Sequence, residues 1–247
     1  MPSRQMCADR LGRQWASRAA AELRVACVFT VVARARGLFE SGADPEVLRI
    51  AARAVSDEVR HAEICRGLAE RYFGHPVNWP APRPAVMPQL ARAPSAIRAT
   101  LHTVAMGCVN ETIASAWLEA SLRDTTSVLA RAAIRELIAD DIHHARLGWA
   151  HVASSFVSRS MRREVGEWLP RLLEAAAWTW TRRVNGTASE GFPAHGVPSL
   201  ATTRAVVRDT LQTVILPGFD RLGVPSASAR EWWARRYERD APSEREV

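Results

Sequence analysis

The chain of 247 residues contains no lysine: all 33 of its basic residues are arginine. The arginines are spread among 26 acidic residues and form no basic arm or recognition stripe, so the net charge of +7 does not point to nucleic acid. Tyrosine is nearly absent, with copies only at Tyr72 and Tyr237. The four cysteines, Cys7, Cys27, Cys65 and Cys108, make no CxxC and no closely spaced framework. They read as reduced thiols, and a cytoplasmic location is expected. No apolar run approaches the length of a membrane span. Charges at Arg4, Asp9, Arg10 and Arg13 precede any apolar run, so no signal peptide is expected. Asn185-Gly186-Thr187 matches the glycosylation pattern, and without a secretory signal it reads as accidental. Alternating β-branched runs are missing too, which argues against a sheet.

What is present is helical periodicity in a chain that is 47% apolar, enough to fill a core. The spacing predicts a helix from about Asp9 to Glu40, stopped by Ser41-Gly42. A second starts with Asp44 as N-cap and Pro45 in its first turn, and runs to about Phe73. A third covers about Ser95 to Arg123. A fourth follows the turn Asp124-Thr125-Thr126 and runs to about Arg159. Short connections make helices one and two antiparallel neighbours, and three and four likewise. Between the pairs, prolines at 76, 80, 82, 84, 88 and 94 favour an extended segment that can travel the length of a bundle. The expected fold is therefore all-α, a four-helix bundle with one long crossover, the ferritin-like arrangement. One domain is expected over 1–247, with the bundle at 9–159 and a helical extension at 160–247 packed on it. In that extension, Arg162 to Arg183 reads as helical with Pro170 breaking or restarting it. Leu200 to Leu216 reads as a helix closed by Pro217-Gly218. Ser228 and Glu231 have capping-box spacing before a last helix at Trp232-Trp233.

One pattern occurs twice in related forms: Asp57-Glu58-Val59-Arg60-His61-Ala62 and Asp140-Asp141-Ile142-His143-His144-Ala145. A carboxylate and a histidine three residues apart on a helix lie about 60° apart around the axis and about 4.5 Å apart along it. They share a face and offer the oxygen and nitrogen donors a divalent metal needs. Two such pairs, with one more carboxylate from each of two other helices, make the di-iron site of a four-helix bundle. Glu22 and Glu111 supply those carboxylates, one helix upstream of each pair. All four acids sit mid-helix among small or apolar residues in helical register. Four acids buried together repel unless protonated or metal-bound. Aligning the two copies, Ala62 with Ala145, favours Asp141 and His144 over the competing register of Asp140 with His143. Gly107, Cys108, Ala114 and Ser115, around Glu111, leave room for a substrate. His151, two turns after His144, reads as a core or end-of-bundle histidine. Tyr72 follows His61 by about 16 Å of helix, which argues against a tyrosyl radical beside the metals.

Asp57-Glu58-Val59-Arg60-His61 fits the Asp-Glu-x-Arg-His motif of bacterial multicomponent monooxygenases and acyl-carrier-protein desaturases. Across residues 9 to 159 the chain resembles the ferritin-like superfamily of non-haem di-iron proteins. That resemblance implies Glu22, Glu58, His61, Glu111, Asp141 and His144 as metal ligands. It makes Asp57 and Asp140 the acceptors that orient the histidine of the opposite pair, with Arg60 paired to one of them and His143 where the motif has arginine. It implies two iron ions, or a manganese–iron pair, with O2 as co-substrate, a small organic substrate and an electron donor. A homodimer is compatible with it. The expected activity is that of an O2-activating oxidase or oxygenase. The competing readings are a ferroxidase or iron-storage protein and a metal-free helical scaffold. The long carboxy-terminal extension favours the enzyme. Asp141 departs from the glutamate usual at its position and is one methylene shorter.

Overall fold

The structure, a computed structural model, describes residues 4–34, 45–79, 87, 90–182 and 191–237. Among these residues every regular element is helical, apart from one isolated bridge between Phe192 and Val197. Helix α1 is Arg4–Arg34 and α2 is Pro45–Phe73. One continuous helical run follows: α3 at Ser95–Thr103, a π-helical segment at Val104–Glu111, and α4 at Thr112–Asp124. Helix α5 is Val128–Ala153 and α6 is Arg159–Thr181. Helix α7 at Leu200–Thr210 passes through a second π segment, Leu211–Ile215, into α8 at Leu216–Arg221. Helix α9 is Ala227–Tyr237. No helix among the described residues is long and apolar enough to cross a membrane.

Apolar contacts give the helix directions. Trp15 and Ala19, in the first half and middle of α1, pack with Leu68 and Ala69, late in α2, with Leu118, late in the α3–α4 run, and with Ala130 and Ile134, early in α5. Phe29 and Val32, late in α1, pack with Val47 and Ile50, early in α2, and with Met106 and Leu147. So α1 and α2 run antiparallel, and so do the α3–α4 run and α5. A third cluster joins Leu101, Val104 and Cys108 to Leu169, Leu173, Leu211 and Phe219, which fixes the carboxy-terminal helices on the outside of the α3–α4 run.

The local structure departs from the sequence reading in five places. Helix α1 begins at Arg4 rather than near Asp9. The expected stop at Ser41-Gly42, the Asp44 cap and most of the proline-rich segment lie outside the described residues. Helix α5 ends at Ala153, six residues before the expected Arg159. There Ser154 turns back on His151 O, and the Arg162 guanidinium donates to the carbonyls of Val152, Ala153 and Ser154. This planar fork satisfies the free carbonyls of a helix end, which a lysine could not span. Pro170 lies inside an unbroken α6. Pro217-Gly218 does not close a helix either. Pro217 sits in the first turn of α8, just after the wider π turn accommodates its ring and missing N–H. Gly218 lets α8 approach the Trp149 ring, which a Cβ would meet at 2.9 Å. Ser228 donates to Gly166 O, so it ties α9 to α6 instead of capping its own helix.

His151 is buried, and its Nε2 lies 3.1 Å from Thr100 Oγ1. Burial lowers its pKa to about 4. Between about pH 6.5 and pH 4 the unfolded chain therefore binds a proton at this site that the folded chain does not. Stability is present in full above pH 6.5 and falls as the pH drops toward 4, by on the order of 3 kcal/mol. His151→Gln, which keeps a partner for Thr100, is expected to lose less stability over this range than the wild type. Equal losses of unfolding free energy in the two proteins between pH 6.5 and 4.5, read from denaturant midpoints, would refute the assignment.

Candidate metal centre

The acids and histidines of the repeated pattern converge between the two apolar clusters of the bundle. Glu58, Glu111, Asp141 and His144 bring ligand atoms within 4.8 Å of one another, and so do Glu22, Glu58 and His61. Glu58 belongs to both groups. All are buried except Glu22, whose side chain is 16% exposed. Three elements aim these groups by helical periodicity: α1, α2 and α5. The fourth, Glu111, ends the π segment. Within that segment the Asn110 amide donates to Ala105 O, five residues back, which takes up a carbonyl of the widened turn.

The histidine rings have two distinct edges. His61 Nε2 lies 3.2 Å from Asp140 Oδ2, and His144 Nε2 lies 3.4 Å from Asp57 Oδ2. A carboxylate only accepts, so each Nε2 carries a proton. Each ring therefore turns Nδ1 toward the cluster. His144 Nδ1 is 2.9 Å from Glu58 Oε1 and 3.5 Å from Asp141 Oδ1; His61 Nδ1 is 3.6 Å from both Glu58 Oε2 and Asp141 Oδ1. Despite these short separations, His61 Nδ1, His144 Nδ1 and Glu58 Oε2 are buried without a partner in hydrogen-bonding geometry. Unpartnered buried groups are rare in native proteins and call for an ion, water or ligand. The three lie on the inner edge of one mixed nitrogen–oxygen donor set, which could hold a divalent metal ion.

Burial, with Glu58 close by, pushes Glu22 up to about 8. Burial also holds Glu111 well above its ordinary value and raises Asp141. Burial opposes the charge on Glu58 as well, but His144 and His61 outweigh it and hold its carboxyl low. Burial disfavours the imidazolium forms, yet Glu58 raises His61 to about 9, and Asp141 with Glu58 raises His144 to about 11. The metal-free cluster is thus rich in protons, which divalent cations would displace.

Arg60 pairs with Asp140 and reaches Glu136 Oε2 at 3.5 Å. A second arginine, which the repeated pattern does not include, joins these supports. Arg53 spans Asp57 at 3.3 Å and Asp140 at 3.4 Å, so one guanidinium links the supports of both histidines. Its signal was the four-residue spacing to Asp57, common on any helix. His143 is exposed and is not part of the cluster. It lies one residue, about 100° of helix, from the inward-facing His144, so neither its supporting role nor the Asp140–His143 register holds. Gly107 does not leave room for a substrate: a Cβ on it would lie 2.6 Å from Gly148 Cα, so its open side is filled by α5. Cys108 is buried in the cluster facing the carboxy-terminal helices. Ala114 and Ser115 are half-buried one turn beyond Glu111. A shallow depression lined by Arg171, Glu174, Ala175, Trp178 and Arg236 shares no residue with the carboxylate cluster.

Because each ring is held by one aspartate, Asp57→Ala is expected to loosen His144, and Asp140→Ala to loosen His61. Each change should weaken metal binding about 10–100-fold while leaving all six candidate ligands in place. Unchanged affinities in both variants would count against the histidines as ligands. Compared with known proteins, the chain matches no family model, no curated protein and no solved structure.

Proposed function

We propose that the chain is an O2-activating non-haem di-iron oxidase or oxygenase that acts on a small organic molecule. The observation that carries this reading is the burial of two mixed carboxylate–histidine groups joined at Glu58, with unpartnered donor atoms on their inner edge. Two antiparallel helix pairs, with α2 and α4 ending at the same end of the bundle, require a lengthwise connection between the pairs. This supports the ferritin-like arrangement. Glu22, Glu58 and His61 would hold one ion, and Glu58, Glu111, Asp141 and His144 the other. Bound there, a pair of ferrous ions supplies the electrons that activate O2. The protein's own part is to fix six ligands, to orient the rings through Asp57 and Asp140, and to keep bulk water out with the flanking apolar clusters.

Anaerobic titration is expected to give about two irons per chain, followed by O2 consumption without growth of a mineral core. Glu111→Ala should abolish O2 consumption and keep the helix, since alanine is the better helix former. A storage protein would instead take up tens of irons per chain within a large hollow assembly. Iron loading measured against particle mass decides between the two, and the second outcome would sink the oxygenase reading.

A further inference from the structure

We propose that Arg18 and Ser115 form the polar end of a binding site for the carboxylate group of a small organic molecule, on the Glu22–Glu111 side of the cluster. This rests on the di-iron reading and names the substrate class of that site. Arg18 is one turn before Glu22 on α1, and Ser115 is one turn after Glu111 on α4. Both steps lead toward the layer where Trp15 and Ala19 pack with Leu118, so the two side chains share one level of the bundle.

Arg18 is partly used. Its Nε donates to Glu22 Oε1 at 3.2 Å, and its guanidinium lies 5.4 Å from the Trp15 ring centre and 4.8 Å from that of Trp117. The indoles leave the guanidinium edge to bind something else. On that edge Nη1 is buried and has no partner. Elsewhere, Arg98, Arg131 and Arg162 place their terminal N–H groups on backbone carbonyls. Ser115 shows the same anomaly. In its helical run Thr103, Ser121 and Thr125 each donate to the carbonyl four residues back, whereas Ser115 Oγ is buried without a partner. A fixed cation edge and a hydroxyl supply two donors, which match the two oxygens of a carboxylate. The Arg18 side chain keeps 15% of its surface exposed, so the donors lie one flexible side chain below solvent.

Calorimetry on the full chain, both metal-free and loaded with ferrous ion without oxygen, tests this with benzoate, cinnamate and hexanoate. Benzamide serves as the uncharged control and inorganic phosphate as the rival anion. At least one carboxylate should bind wild type, and benzamide should bind about tenfold or more weakly than benzoate if benzoate is that ligand. Arg18→Met and Ser115→Ala should each weaken the bound carboxylate about 10-fold or more. Failure of all three carboxylates to bind, tighter binding of phosphate, or unchanged affinity in folded variants overturns the proposal. Ser115→Ala carries the comparison alone if circular dichroism shows that Arg18→Met does not fold. Iron stoichiometry measured on the same samples separates the two readings. Carboxylate binding without iron uptake sinks the di-iron reading, and iron uptake without carboxylate binding sinks this one.

Discussion

Ferrous or manganous ion at about a hundredfold excess over its dissociation constant is expected to stabilise the metal-free chain by about 2.7 kcal/mol. For a chain of this size that corresponds to a rise of about 5–10 °C in melting temperature. The folded chain presents two preformed ligand groups, while the unfolded chain scatters them along the sequence. The gain should fall as the pH drops, because the histidines hold protons more tightly than free imidazole does and the metal must displace them. Glu58→Ala removes the residue shared by both groups and should erase most of the shift. A melting temperature indifferent to either ion in the wild type would remove the basis for a metal centre.

Gly148→Ala is expected to destabilise the fold by about 3 kcal/mol, although alanine is the better helix former. A Cβ on Gly148 would fall on the backbone N of Cys108 and lie 2.6 Å from Gly107 C. The obstacle is main chain, which cannot rotate aside as a side chain can. Relief would require α5 to move away from the π segment, and with it Asp141 and His144 away from Glu111. Metal affinity should therefore fall together with stability. Gly67→Ala in α2 is the matching control: nothing lies within 4 Å of its added Cβ, and a gain of up to about 1 kcal/mol is expected. Denaturant midpoints that move the same way in both variants would refute the packing argument.

Much of the candidate site was legible because it is local. Carboxylate-x-x-His is a statement about one helical turn, and Pro45 and Gly74 punctuate α2 at the residues that bound it in space; Gly74 has φ 75°. The rest depended on partners distant in sequence. Nothing near Ala153 announces that Arg162 will fold back to end α5. Pro217-Gly218 carries an ordinary stop signal, which a preceding π turn and a neighbouring tryptophan override. Gly107 could be read as space for a ligand only while Gly148 was unknown as its neighbour. Arg18, four residues before a glutamate, has the spacing of an ordinary surface pair, and only the burial of its second nitrogen sets it apart.

The π segment bears on how this chain can vary in length. Leu101, Val104, Ala105 and Cys108 face the carboxy-terminal helices, while Glu111, a few residues on, faces the opposite way into the acids. A π turn fits about one more residue into a full rotation than an α turn. Removing one residue from Val104–Glu111, with the run relaxing to regular α pitch, would therefore leave Glu111 and Ser115 aimed nearly as before. A deletion within the regular stretch Thr112–Asp124 has no widened turn to take up the loss, and everything beyond it would turn by about 100°. The π segment is thus the stretch of this run where the chain can lose a residue at least cost to the site.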